Sequence, residues 1–132
     1  MIFVDSNVPM YLVGAPHRNK ERSRLLLARV VAEGDVLVTD AEVLQEILHR
    51  YAAIGRTDAI APAMDATLGV VDSVLPVERD DVLRARSILE MHARLSARDA
   101  LHVAIMQRHE VDRILTFDVG FDAVEGIERM SL

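Results

Sequence analysis

Apolar and polar positions along the chain fall into short apolar runs separated by longer stretches with helical spacing. Ile2 to Val4 is an apolar run that stops at Asp5 and predicts a first strand. Arg18 to roughly Glu33 carries an apolar stripe through Leu25, Leu26 and Val30 with a basic flank, which predicts a helix stopped by Gly34. Val36 to Val38 reads as a second strand. Thr39 or Asp40 is placed to cap a helix whose stripe is Val43, Leu44, Ile47, Leu48 and Tyr51 and which Gly55 ends. A further helix is expected over Thr57 to Leu68, and a strand over Ser73 to Val77, with Pro76 demanding an edge position. Asp80 to His92 is helical in pattern. Ser96 caps a last helix running to about His109, Ile114 to Thr116 forms a fourth strand, and Ile127 to Met130 is a candidate fifth.

Strands this short and this apolar, each followed by a helix, specify an α/β fold. Its central, mostly parallel sheet of four to five strands is covered on both faces, giving three layers. Crossovers are expected to be right-handed. In such sheets functional groups gather beyond the carboxyl ends of the strands, so the places to look are just after Val4, Val38 and Leu115. No repeat, linker or low-complexity stretch interrupts the pattern, and one domain over residues 1–132 is expected.

Composition narrows the chemistry. Hydrophobic residues make up 51% of the chain, which excludes a disordered protein. There is no cysteine, so disulfides and thiolate metal sites are excluded and any metal must be held by oxygen or imidazole. No basic leader followed by an apolar stretch is visible, and the longest apolar run, Leu25 to Val31, contains Arg29. A cytoplasmic protein with no membrane association is therefore expected. The net charge of −6 disfavours a general nucleic-acid binder. Basic residues do cluster locally, at His17, Arg18, Lys20, Arg22 and Arg24 and again at His49, Arg50 and Arg56. Each cluster reads equally well as a phosphate contact or as a solvated helix face.

Four acidic residues stand at the places the topology singles out. Asp5 follows the first strand and Asp118 the fourth. Asp99 lies in the first turn of the helix before that fourth strand. Glu46 sits one position off the apolar stripe of its helix, on the flank facing the sheet edge. Carboxylates brought together repel and rise in pKa unless a positive group joins them. A hard divalent cation such as Mg²⁺ or Mn²⁺ is the natural partner, and it can orient water against a phosphodiester. Each residue also has a plainer reading. Asp5 can cap a helix starting near Asn7, Glu46 can be a surface residue, Asp99 can belong to a Ser96-x-x-Asp99 cap, and Asp118 can be a turn residue. The shared placement of all four is what points to a site.

The stretches that carry these acids are Phe3-Val4-Asp5-Ser6-Asn7-Val8, Glu42-Val43-Leu44-Gln45-Glu46-Ile47-Leu48, Leu95-Ser96-Ala97-Arg98-Asp99-Ala100-Leu101-His102-Val103-Ala104 and Leu115-Thr116-Phe117-Asp118-Val119-Gly120-Phe121-Asp122. In order, spacing and overall length they resemble the four signature regions of PIN domains, in particular the toxin nucleases of VapBC-type toxin–antitoxin pairs. The resemblance implies a PIN fold, Mg²⁺ or Mn²⁺ as cofactor, and endonucleolytic cleavage of RNA. It also implies metal-ligand and catalytic roles for Asp5, Glu46, Asp99 and Asp118. Asn7 and Thr116 fall where the family has small polar residues that orient ligands or water, and Asp122 is a fifth acid or a solvent-facing turn residue. The family's partners are an RNA substrate and a cognate antitoxin protein, and its members commonly form homodimers. Met64, Leu68 and Val70 are candidates for such an interface or for core packing.

Two basic residues near the acids have double readings. His102, three residues after Asp99, can bind metal or phosphate, or can be a packed, hydrogen-bonded core histidine. Arg98 can reach an RNA phosphate or stay solvated. Among competing functions, a catalytically silent PIN-like binding module is disfavoured because all four acidic positions are filled. A phospho-acceptor receiver domain wants a lysine after a late strand, and Lys20 is early. A phosphatase with paired aspartates wants a second acid where Asn7 stands. The expected reaction is water attack on an RNA phosphodiester without a covalent intermediate.

Overall fold

The computed structural model describes residues 1–130. Five strands, β1 (Ile2–Val4), β2 (Leu37–Asp40), β3 (Ser73–Leu75), β4 (Arg113–Leu115) and β5 (Glu128–Met130), form one sheet in the order β3-β2-β1-β4-β5. Every neighbouring pair is parallel. Six helices connect them: α1 (Asn7–Val13), α2 (Arg18–Ala32), α3 (Ala41–Ala53), α4 (Ile60–Val70), α5 (Arg79–Met91) and α6 (Ala97–Arg108). The α/β class, the parallel sheet and the flanking helices match the expectation from the apolar pattern.

The sheet is covered on both faces because each central strand is buried on both. Ile2 and Val4 of β1 pack with Leu26, Leu27 and Val30 of α2 and with Val8 of α1. Phe3, pointing the other way, packs with Val43 and Ile47 of α3 and with Ala100, Val103 and Ala104 of α6. This is the period-2 alternation of a strand between two helical layers. The chain runs outward from β1 to β2 and β3, then returns to lay β4 and β5 on the other side. Strand order thus reverses at β1, and the crevice beyond the carboxyl ends of β1 and β4 is where such a sheet presents its functional groups.

Several boundaries shift for physical reasons. β2 continues through Asp40 because Thr39 and Asp40 pair with Val74 and Leu75 of β3. β3 ends at Leu75, one residue before Pro76, and lies at the sheet edge, as a proline there requires. The helix expected from Thr57 starts with a short 3-10 turn at Thr57–Ala59 before α4, which keeps Pro62 in the first turn of α4, where it costs no hydrogen bond. Gly34 and Gly55 adopt φ of 76° and 70°, the left-handed conformation that closes the ends of α2 and α3. Met64 and Val70 pack partly against the core, whereas Leu68 is exposed.

The pattern did not show how α5 is pinned to α6. Glu78 and Asp81 form a reciprocal capping box at the start of α5. Arg108, at the end of α6, grips the Asp81 carboxylate with two bonds of 2.8 and 2.9 Å. Asp81 is 2% exposed, and the Arg108 guanidinium holds its carboxyl below the usual carboxylate range against the cost of burial. A group whose folded pKa is depressed stabilises fully above its unfolded value near 4 and loses that contribution as pH falls through the folded value. Asp81→Ala, which strands a partly buried guanidinium and an open helix end, is expected to cost about 2 kcal/mol at pH 7 by urea unfolding. The deficit relative to wild type should shrink below pH 4.

Candidate active site

The carboxyl end of β1 delivers Asp5 into the crevice, where it is 3% exposed. Its Oδ1 accepts the Ser6 amide at 2.8 Å, and its Oδ2 accepts the Thr116 hydroxyl at 2.7 Å. Asn7 completes this cradle. Its amide donates to Thr116 Oγ1 at 3.1 Å and, more weakly, to Asp5 Oδ2 at 3.5 Å, and its carbonyl accepts the Phe117 amide. Thr116 Oγ1 in turn accepts the Asp118 amide at 3.0 Å. Asp5 does not cap α1 with its side chain. The N-cap is Ser6, which makes no side-chain bond there, and Asp5 is held as a fixed, inward-facing carboxylate.

The other three acids converge on the same opening. A cavity of about 410 Å³ is lined by Asp5, Glu46, Asp99 and Asp118, with Asn7 and Tyr11 on one wall and Arg50 and Arg98 among the remaining lining residues. Glu46 is no surface residue: its side chain is only 18% exposed, and Arg98 Nη1 lies 3.7 Å from its Oε1. Ser96 caps α6 by accepting the Asp99 amide at 3.1 Å, which leaves the Asp99 carboxyl free to face the cavity. Asp118 is exposed at the rim, its Oδ1 accepting the Gly120 amide at 2.8 Å. Asp122 turns away from this group and pairs with Arg129 at 2.9 Å, which depresses its pKa.

His102 stands behind Asp5 and Glu46, fully buried. It is a packed, hydrogen-bonded core residue: Nδ1 lies 2.7 Å from Asp40 Oδ2, and its ring tilts against Phe3 at 5.3 Å. It also faces the acids, with Nε2 3.9 Å from Asp5 Oδ1 and 3.7 Å from Glu46 Oε2. Asp40 is the residue that sequence reasoning read only as a helix cap. It does cap α3, accepting the Val43 amide at 2.9 Å with Oδ1, and its second oxygen reaches across 62 residues to His102. Its place after Val38, at the strand end where ligands gather, was the available signal.

The electrostatics are those of like charges gathered without enough counter-charge. Burial pushes Asp5 up. Burial, then Asp5, then Asp118 push Asp99 up to about 7. Burial works against a charged His102, but Asp40, Glu46 and Asp5 outweigh it and hold its pKa well above the ordinary value. Glu46 is held low despite its burial, chiefly by the neighbouring His102.

These residues fit a divalent cation. Asp5, Glu46 and His102 each offer one ligand atom, all within 4.8 Å of one another, and Glu46 Oε2 and His102 Nε2 are buried with no hydrogen-bond partner among the described residues. Asn19 Oδ1, Arg29 Nε and His109 Nε2 are unpartnered as well, but only Glu46 Oε2 and His102 Nε2 face one another beside a third ligand-type residue. A family model described as PIN domain matches residues 2–127. The chain belongs to the PIN-domain family. This PIN domain is 57% identical over 131 residues, 99% of this chain and 100% of the relative, to Ribonuclease VapC13 of Mycobacterium tuberculosis. Its structure resembles that of M. tuberculosis VapC20, described as a sarcin–ricin loop cleaving toxin. The TM-score there is 0.76 at 26% identity, covering 93% of this chain and 94% of that one. It also shares the fold of VapBC2 from Rickettsia felis bound to a promoter DNA fragment, with a TM-score of 0.74 at 13% identity and 98% of each chain covered. Among the described residues no helix is long and apolar enough to cross a membrane.

Proposed function

We propose that this PIN domain is a metal-dependent endoribonuclease that hydrolyses RNA phosphodiester bonds and acts as the toxin of a toxin–antitoxin pair. The observation that carries the reading is the convergence of Asp5, Glu46, Asp99 and Asp118, from four separate segments, on one open cavity. Full-length identity of 57% to a protein named a ribonuclease supports the activity. Fold-level likeness to a structure named for both halves of a VapBC pair fits an antitoxin partner. A homodimer and a cytoplasmic location accompany this reading, and one domain accounts for the chain.

Asp5, Glu46 and Asp99 would hold Mg²⁺ or Mn²⁺, with Asp118 at the rim. When bound, the cation supplies charge neutralisation at the phosphodiester and activation of the attacking water. The protein's own part is positioning. Thr116 and Asn7 fix the outer oxygen of Asp5, and Ser6 fixes the inner one. Arg98 and Arg50, lining the cavity, offer positive charge to the phosphates on either side of the cut. That local charge answers the net −6 of the chain: the RNA meets two arginines and a cation-filled floor, not the average surface. Water is the attacking group in this reading, with no covalent intermediate: the chain lacks cysteine, and Ser96 is engaged as a helix cap.

The test is incubation of the purified, partner-free chain with total cellular RNA in millimolar Mg²⁺ or Mn²⁺, against EDTA. Discrete fragments should form with the cation and be absent with the chelator. Cutting that persists in EDTA would rule out this mechanism.

A further inference from the structure

Deepening the proposed reading, on which it rests, we infer that His102 supplies a nitrogen ligand to the cation, so that the site takes a first-row transition ion in preference to Mg²⁺. His102 Nε2 is buried and makes no hydrogen bond among the described residues, while Nδ1 is committed to Asp40 at 2.7 Å. A carboxylate on one ring nitrogen fixes the orientation and tautomer of an imidazole and raises the basicity of the other nitrogen. That is the arrangement that stands behind metal-ligating histidines. The free nitrogen faces two carboxylates, one of which, Glu46 Oε2, is itself buried and unpartnered.

The spacing suits a shared ion. Donors about 2.1 Å from a cation lie about 3.0 Å apart when adjacent and about 4.2 Å apart when opposite. Nε2 stands 3.9 Å from Asp5 Oδ1 and 3.7 Å from Glu46 Oε2, between those limits. An ordinary core histidine would have its second nitrogen bonded to backbone, hydroxyl or water; this one is turned to the carboxylates that line the cavity. Taking up the ion at Nε2 sends any proton there to solvent. The consequence is selectivity: Mg²⁺ prefers an all-oxygen shell, whereas imidazole favours the transition series.

Mn²⁺, which is paramagnetic, serves as the probe. The tag-free full chain is loaded with one equivalent, and its pulsed electron paramagnetic resonance is recorded with natural-abundance protein and with protein carrying ¹⁵N-labelled histidine. The expected result is ¹⁴N modulation from a directly bound imidazole, replaced by the ¹⁵N pattern on labelling and lost in His102→Gln. Competition should show Mn²⁺ held at least about tenfold more tightly than Mg²⁺. Labelling needs no substitution, so the test stands even where His102→Gln folds poorly. Mn²⁺ bound in an Asp5-dependent way without nitrogen modulation overturns the inference and leaves the metal-dependent nuclease intact. No Mn²⁺ bound at all overturns both.

Discussion

Millimolar Mn²⁺ is expected to raise the melting temperature of the wild-type chain by about 10 °C, and Asp5→Asn to abolish most of that rise. A ligand that binds only the folded state stabilises it by RT ln(1 + [L]/Kd), about 2.7 kcal/mol at a hundred times Kd. For a domain of this size each kcal/mol is worth about 4 °C. The same substitution should act in the opposite direction when metal is absent, so that metal-free Asp5→Asn melts above metal-free wild type at pH 7.5. Burial and its acidic neighbours already push Asp5 and Asp99 up, and removing one charge relieves the other.

The pH dependence gives an internal check on sign. The folded Asp99 carboxyl titrates at about 7, well above its unfolded value near 4. Between those values the folded state holds more protons than the unfolded one. Metal-free stability should therefore fall as pH rises through this window, and its contribution is fully present only below about pH 4. Asp99→Asn should flatten that slope. A differential scanning fluorimetry grid of pH against Mn²⁺, run on wild type and both variants, reads all of these at once. Equal melting curves with and without Mn²⁺ for the wild type would contradict the shared cation site.

Asp40→Ala is expected to be among the most destabilising single substitutions in the molecule, at about 3 kcal/mol by urea unfolding. Two losses combine. The N-cap bond to the Val43 amide goes, worth about 1 kcal/mol. The His102 ring, fully buried, loses the Asp40 partner of its Nδ1, at a cost of about 1–3 kcal/mol. Asp40→Asn keeps a cap acceptor of the same shape and should lose less. If Asp40→Ala were no less stable than Asp40→Asn, the buried Asp40–His102 bond would have no energetic weight.

What could be read from the sequence and what could not separate along a physical line. The strands and helices are set by local patterning: Ile2 to Val4 can only be a doubly buried strand, and Gly34 and Gly55 take the left-handed geometry that ends α2 and α3. Once a parallel sheet is inferred, the rule about strand ends places Asp5 and Asp118 together with no further information. Contacts between distant segments are another matter. The Asp40–His102 bond spans 62 residues and the Arg108 grip on Asp81 spans 27. No periodicity encodes either, because Asp40, Asp81 and Arg108 each also satisfy a local role as a helix cap or terminal cation. Asp122, which the sequence leaves open as a fifth acid or a turn residue, pairs with Arg129, another contact that no local pattern encodes.

The most direct measurement of the central claim is the rate of RNA cleavage in saturating Mn²⁺ by wild type, Asp5→Asn and Asp99→Asn, each purified free of partner and shown by circular dichroism to be folded. Loss of a ligand carboxylate should weaken both cation binding and its placement, and both variants are expected to cut at less than about one-hundredth of the wild-type rate. Cleavage by either variant at a rate close to wild type would contradict the account and move the chemistry away from this cavity.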